Sequence, residues 1–182
     1  MPRINAPTIE TAPAASQPQL AAVKKQLGSV PNMFRTIAHS PAALEGYLSL
    51  NGALAKGTLD APTRERIALA VAEFNGCNYC LAAHTYLGKN VAKLSDVEIE
   101  ANRRGRSSDP KADAAVVFAV KVVSARGQVS DADLSAVRAA GFTDANVIEI
   151  ISHVALNTLT NYVNEVAGTV VDFPAATMLK AA

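Results

Sequence analysis

Six times along this 182-residue chain a helix-capping residue heads a run whose apolar positions recur at helical spacing, and almost nothing alternates with the period of a strand. Ser40-Pro41 opens a run through Leu44, Tyr47 and Leu48 that reaches Gly57, with Ser as cap and Pro at the first helical position. Asp60 or Thr63 caps a segment carrying Ile67, Val71 and Phe74, which Asn75-Gly76 stops. Ser95-Asp96-Val97-Glu98 reads as a capping box, Asp109-Pro110 starts an apolar helix through Phe118 and Val122 to Gly127, and Ser130 and Thr143 head two more, the last reaching Gly168. Upstream, Leu20, Val23 and Leu27 form an amphipathic series closed by Gly28, and a short helical piece follows Pro31. The pattern predicts an all-α fold of about eight helices in one domain over residues 17–182, preceded by an extended arm over 1–16. The tail from about residue 169, VVDFPAATMLKAA, contains Pro174 and is expected to leave the bundle or to pack on a neighbouring subunit.

Composition sets what such a bundle can meet. A hydrophobic content of 49% is enough for a substantial core, and 17 Lys plus Arg against 16 Asp plus Glu leave no broad field to attract nucleic acid or an anionic membrane. Small neutral partners fit better. The opening MPRINAPTIETAPAASQPQ has no continuous apolar region, so neither a secretory signal nor a membrane span is expected, and the cytoplasm is the default compartment.

The chemistry concentrates in Cys77-Asn78-Tyr79-Cys80-Leu81-Ala82-Ala83-His84, which holds both cysteines and one of three histidines. This stretch opens a helix, where unpaired amides and the helix dipole favour thiolate over thiol, with pKa values commonly lowered to about 3.5–7.5. Cys80 and His84 are four residues apart and therefore neighbours, with Cys77 a turn earlier on the same face. One cysteine would act as nucleophile and the other would resolve a sulfenic acid into a disulfide. A structural zinc site is the second reading, although it needs a fourth ligand that Glu65 or Glu73 would have to supply. Inert packing of two buried thiols is the third. A c-type haem signature fails because Leu81, not histidine, follows the second cysteine, and a thioredoxin-like fold fails because the flanks are helical. Glu65 and Glu73 lie on the preceding helix, where antiparallel packing brings one of them beside His84 as a proton relay; Arg64-Glu65-Arg66 is equally the pattern of a solvated face.

The run from Arg64-Glu65 through Ala68-Leu69-Ala70-Val71 to Asn75-Gly76-Cys77-Asn78-Tyr79-Cys80 and His84 resembles the core of the AhpD-like alkylhydroperoxidases, in the carboxymuconolactone decarboxylase superfamily. Val30-Pro31-Asn32-Met33-Phe34 before Ser40-Pro41, and His153-Val154-Ala155-Leu156-Asn157, resemble its peroxidase-related members. The resemblance implies an all-helical fold assembled as trimers or hexamers, reducing peroxides through the dithiol. It gives Cys80 the peroxidatic role, Cys77 the resolving role, and Glu65 and His84 the relay. Where the family pattern has a further histidine, this chain has Tyr79, a poor base near neutral pH, which implies a shorter or slower relay. Members acting as true decarboxylases generally lack the dithiol. No GxGxxG fingerprint for a flavin or nicotinamide is present, so no bound cofactor is required and an external dithiol, thioredoxin-like or lipoyl, is the implied reductant. A redox sensor without fast turnover, or a zinc-stabilised interaction module, remains the alternative.

Other polar residues have plainer expectations. His153, Asn157, Thr160, Asn161 and Asn164 share one face of the last helix, opposite Val147, Ile150, Ile151 and Val154; a hydrogen-bonded helix or subunit interface is preferred over a polar pocket. Arg103-Arg104-Gly105-Arg106 is expected in solvent at a helix end, and His39 as a helix-end residue. Ala112 to Val123 is too short and too charged for a membrane span and is expected in the core or an interface.

Overall fold

The computed structural model describes residues 1–179. Among these there is no strand, and the chain forms nine α-helices rather than about eight: α1 (Gln17–Leu27), α2 (Asn32–Ile37), α3 (Pro41–Leu54), α4 (Ala61–Phe74), α5 (Asn78–Asn90), α6 (Asp96–Arg103), α7 (Pro110–Ser124), α8 (Asp131–Ala139) and α9 (Asp144–Ala167). Ser40, Asp60, Ser95, Asp109, Ser130 and Thr143 each accept the amide hydrogen three residues on, so the capping grammar sets where these helices begin. Asp60, not Thr63, is the cap of α4; Thr63 donates its amide to Asp60 at 2.7 Å. Ser130 with Asp133, and Thr143 with Asn146, complete reciprocal capping boxes.

The box expected at Ser95 forms only by half. Ser95 accepts from the Glu98 amide, but the Glu98 side chain turns inward instead of back to the cap. It is 5% exposed and accepts from Arg66 Nε at 2.7 Å, Asn102 Nδ2 at 2.9 Å, the Ser108 amide at 2.9 Å and the hydroxyls of Ser107 and Ser108. A buried carboxylate is tolerated only when its oxygens are satisfied, and these donors outweigh a helix-end amide that water can reach. Burial pushes the Glu98 carboxyl upward, yet the hydrogen bonds win and hold it well below the usual carboxylate range.

The centre of the fold is α4, packed against α5, α6, α7 and α9. Ile67, Ala68, Leu69, Ala70, Val71 and Ala72 are consecutive and all buried, so over these six residues the helix has no solvent face. Alternation of large side chains with alanine lets neighbours approach from every side. One apolar cluster joins Ile67 and Val71 to Phe118, Val137 and Ile150, and the other joins Leu69 and Ala72 to Leu20, Leu44, Cys77 and Leu81. The Ala112–Val123 stretch lies in α7 within the first cluster, as core. No helix of the described residues is long and apolar enough to cross a membrane.

Both chain ends fold back on this bundle. In the arm, Arg3 and Ile4 donate their amides to Ala167 O at 2.7 and 3.1 Å, and Arg35 reaches the carbonyls of Ala6 and Pro7. His39 does more than end a helix, since its Nε2 meets Asn5 O at 2.8 Å. The tail does not leave the bundle. Asp172 accepts from the Asn32 amide at 2.7 Å and from the Tyr79 hydroxyl at 2.7 Å, and Phe173 packs edge-on against Tyr79 with centroids 5.8 Å apart. Burial of Phe173 and these charge-assisted bonds hold the tail on its own chain; Lys180 to Ala182 lie outside the described residues.

Candidate active site

The dithiol sits where two helices share one junction. At the end of α4 the Gly76 amide donates to Glu73 O and the Cys77 amide to Ala72 O, the paired bonds of a Schellman motif, with Gly76 at φ 72°. Glycine takes this left-handed conformation without a side-chain penalty. Cys77 then immediately caps α5, its Sγ accepting from the Cys80 amide at 3.2 Å, as a serine oxygen would. Asn75-Gly76-Cys77 thus stops one helix and starts the next within three residues. Cys80 lands in the first turn of α5, where helix amides favour an anion.

The two sulfurs differ sharply in environment. Cys80 is 2% exposed and its thiol is lowered to about 6, first by the hydrogen bond from the Cys77 thiol; burial opposes this, and the charge of His84 and the amides of Asn164 and Asn161 support it. Asn164 Nδ2 donates to Cys80 Sγ at 3.2 Å. The same hydrogen bond, with burial and the neighbouring anion, pushes the Cys77 thiol far up, so Cys77 keeps its proton while Cys80 gives one away. Both are free thiols in this state.

His84 Nδ1 meets Glu65 Oε2 at 2.9 Å, each side chain about one-fifth exposed. Burial works against the imidazolium, but the Glu65 carboxylate overrides it, aided by Cys80 and a bond to Asn157, and the His84 pKa is raised. Glu65, not Glu73, is therefore the carboxylate beside His84. Glu73 points the other way, pairing with Arg103 Nε at 2.8 Å and accepting the Leu179 amide. That contact also corrects the expectation for Arg103, which is 12% exposed on its side chain rather than solvated. Arg104 and Arg106 do stay at the surface, paired with Glu100 and Asp113.

Cys80, His84 and Glu65 line a cavity of about 830 Å³, whereas Cys77, fully buried, does not. Part of the polar row of α9 lines this cavity, with His153, Asn157 and Thr160 on its wall and Asn161 and Asn164 beside Cys80, while Asn157, Thr160 and Asn161 also hydrogen-bond within α9 or to Asn75. Their signal was present in the sequence as polar residues repeating on one face of a long helix, but spacing alone does not tell which element that face meets. Tyr47 also faces the cavity, with its phenol held protonated by burial and by the Cys80 and Glu65 charges. Tyr79 is not placed as a base: burial raises its phenol, which donates to Asp172 and accepts from the Met33 amide at 3.2 Å. It ties the tail to α5. Among the described residues no three or more His, Cys, Asp or Glu side chains are grouped so as to hold a metal ion, and the zinc reading would need such a group.

Residues 41–125 match the model of the Carboxymuconolactone decarboxylase family, a stretch that contains both cysteines, Glu65 and His84. An uncharacterized protein of Haemophilus influenzae is 43% identical over 63 residues, 34% of this chain and 50% of its own, so the chain spans half the length of that curated relative. Among solved structures, an uncharacterized peroxidase-related protein of Ralstonia eutropha JMP134, described as an alkylhydroperoxidase AhpD core, superposes with a TM-score of 0.84 at 28% identity, over 94% of this chain and 92% of its own. The debrominase Bmp8 shares the fold at 16% identity and a TM-score of 0.77, over 93% of this chain and 91% of its own. The chain thus carries a carboxymuconolactone decarboxylase family segment at its centre and is similar, over nearly its whole length, to a solved AhpD core.

Proposed function

We propose that this protein is a thiol-dependent peroxidase, in which Cys80 attacks the peroxide, Cys77 resolves the product, and Glu65 with His84 moves the proton. The observation that carries the reading is the asymmetry of the two sulfurs. Cys80 faces the cavity with its thiol lowered to about 6, and Cys77 sits behind it with its proton retained. A nucleophile must be ionised and reachable; a resolving thiol must be adjacent and can wait.

In the first step the Cys80 thiolate attacks the terminal peroxide oxygen, the O–O bond breaks, and alkoxide or hydroxide leaves. The proton lost from Cys80 and held on His84 by Glu65 returns to that leaving group. Cys80 is then a sulfenic acid, oxidised by two electrons. Cys77 sulfur displaces its hydroxyl as water, forming the disulfide. An external dithiol, thioredoxin-like or lipoyl, reduces it by thiol exchange. A reducing cytoplasm suits this cycle. The apolar side chains Ile148, Ile151, Leu159, Tyr162 and Val166, exposed along α9, support a homo-oligomer such as a trimer or hexamer.

Steady-state peroxide consumption with a panel of dithiol donors tests the reading. Turnover is expected in the parent protein, with Glu65→Gln about 10²-fold slower because the relay loses its carboxylate. Undiminished turnover in Glu65→Gln removes the relay.

A further inference from the structure

Neither sulfur of the dithiol can be met from outside in this conformation. Cys77 is fully buried, and Cys80 is 2% exposed and faces the cavity. A small dithiol can diffuse into a space of about 830 Å³. A thiol carried on the folded surface of another protein cannot reach the bottom of it unless a wall moves.

Most of that wall is helix, and the tail is not: after Gly168 the described residues form no helix. Asp172 and Pro174 line the cavity and are also exposed to solvent, so there the wall is one chain segment thick. Side-chain contacts hold it. The Asp172 carboxylate accepts from the Asn32 amide and the Tyr79 hydroxyl, both at 2.7 Å, and Asn32 Nδ2 donates to the Val170 carbonyl at 3.0 Å. The Phe173 ring lies 5.8 Å from that of Tyr79 and 5.9 Å from that of Tyr86, centroid to centroid. Tyr79 immediately precedes Cys80, so this segment is fastened on the dithiol turn itself. A helix opens only by breaking a cooperative ladder, whereas an exposed segment held by a few side chains opens locally at far lower cost.

Resting on the thiol-peroxidase reading, we propose that residues 169–174 are a strap that selects the reductant. Latched at Asp172, the strap admits small dithiols to the oxidised Cys77–Cys80 pair; released there, it admits a dithiol carried on a protein. In the reductive step the donor thiolate bonds to the Cys80 sulfur, the Cys77–Cys80 bond breaks, and Cys77 leaves as a thiolate that takes up a proton. The donor's second thiolate then attacks the donor sulfur of the mixed disulfide and releases Cys80 as its thiolate. The donor departs as a disulfide, oxidised by two electrons, and the strap closes over the reduced pair.

The test forms the Cys77–Cys80 disulfide with diamide, without peroxide, and times its reduction by dithiothreitol and by a bacterial thioredoxin in the parent protein, Asp172→Ala and Phe173→Ala. Asp172→Ala is expected to raise the thioredoxin rate about tenfold while the dithiothreitol rate changes by less than about twofold, because the charge-assisted latch is lost and the sulfurs are untouched. Phe173→Ala removes a separate contact of the same strap and gives a gain of the same sign. Hydrogen exchange followed by mass spectrometry reads the release itself: in Asp172→Ala the amides of residues 169–179 exchange faster and those of α4 and α5 do not change. Equal changes with both donors, no gain with thioredoxin, or faster exchange across α4 and α5 overturns the proposal and leaves the peroxidase reading intact. A disulfide that forms with diamide but not with cumene hydroperoxide overturns the peroxidase reading and keeps the strap.

Discussion

At the scale of single residues, the proposed function turns on which sulfur holds a proton. Cys80 is favoured as the anion first by the Cys77 thiol and then by His84 and two asparagine amides, all acting against burial. The rate of iodoacetamide alkylation at Cys80 is therefore expected to rise with pH around a midpoint near 6. Cys77→Ala, which removes the leading donor, moves that midpoint up toward an ordinary thiol near 8.5, and Cys77→Ser, whose hydroxyl still donates, moves it less. An unmoved midpoint in Cys77→Ala would mean the dithiol hydrogen bond is not what ionises Cys80. The sign carries through to stability. Cys80's depressed pKa means that from about pH 6 to the unfolded value the unfolded chain binds the extra proton, so this group adds stability as pH rises through that window. His84, whose pKa is raised, acts oppositely, its contribution being lost as pH climbs through its folded value. Helix position and the Cys80–His84 spacing were legible in the sequence. Asn164, which donates to Cys80 from 84 residues away, was not, because no local pattern encodes which helix a polar face will meet.

At the scale of elements, the caps made the helices legible and the side chains that depart from them were the surprises. Asn75-Gly76-Cys77 carried both a stop and a start in plain sight, since glycine after a helix and a capping side chain are local signals. Glu98 shows the limit. Its spacing from Ser95 promised a capping box, and tertiary donors from α4 and from the loop before α7 took the carboxylate instead. That network joins three segments, so Glu98→Ala is expected to lower unfolding free energy by about 3–5 kcal/mol, read from urea denaturation, because Arg66 is left buried without its partner. Since Glu98 titrates below the usual range, its contribution is present at neutral pH and lost only as acid protonates it. A change under about 0.5 kcal/mol in Glu98→Ala would show that the network is decorative.

At the scale of the whole molecule, Cys80 occupies a wall built by elements distant in sequence. Cys77 and Cys80 come from the α4–α5 junction, the Glu65–His84 pair from α4 and α5, the polar lining from α9, and one side from the tail through Asp172 and Phe173. The sequence made the all-α class and the candidate Cys80, Cys77, His84 and Glu65 set readable, the latter through family resemblance as well as spacing. It did not disclose that the tail folds back, because Pro174 signals only that a helix does not continue, and the short apolar stretch around it does not say what it packs on. Nor did it separate the two faces of α9, where buried polar residues line the site and Ile148, Ile151, Leu159, Tyr162 and Val166 stay exposed on the outside. The claim on which all of this converges is that Cys80 takes the peroxide oxygen. Mass spectrometry of Cys77→Ser, treated with one equivalent of cumene hydroperoxide and a sulfenic-acid trap, measures that transfer directly. The account predicts a single adduct on Cys80, absent from a Cys77→Ser/Cys80→Ser control; a trapped sample with Cys80 unmodified and the peroxide unconsumed would contradict it.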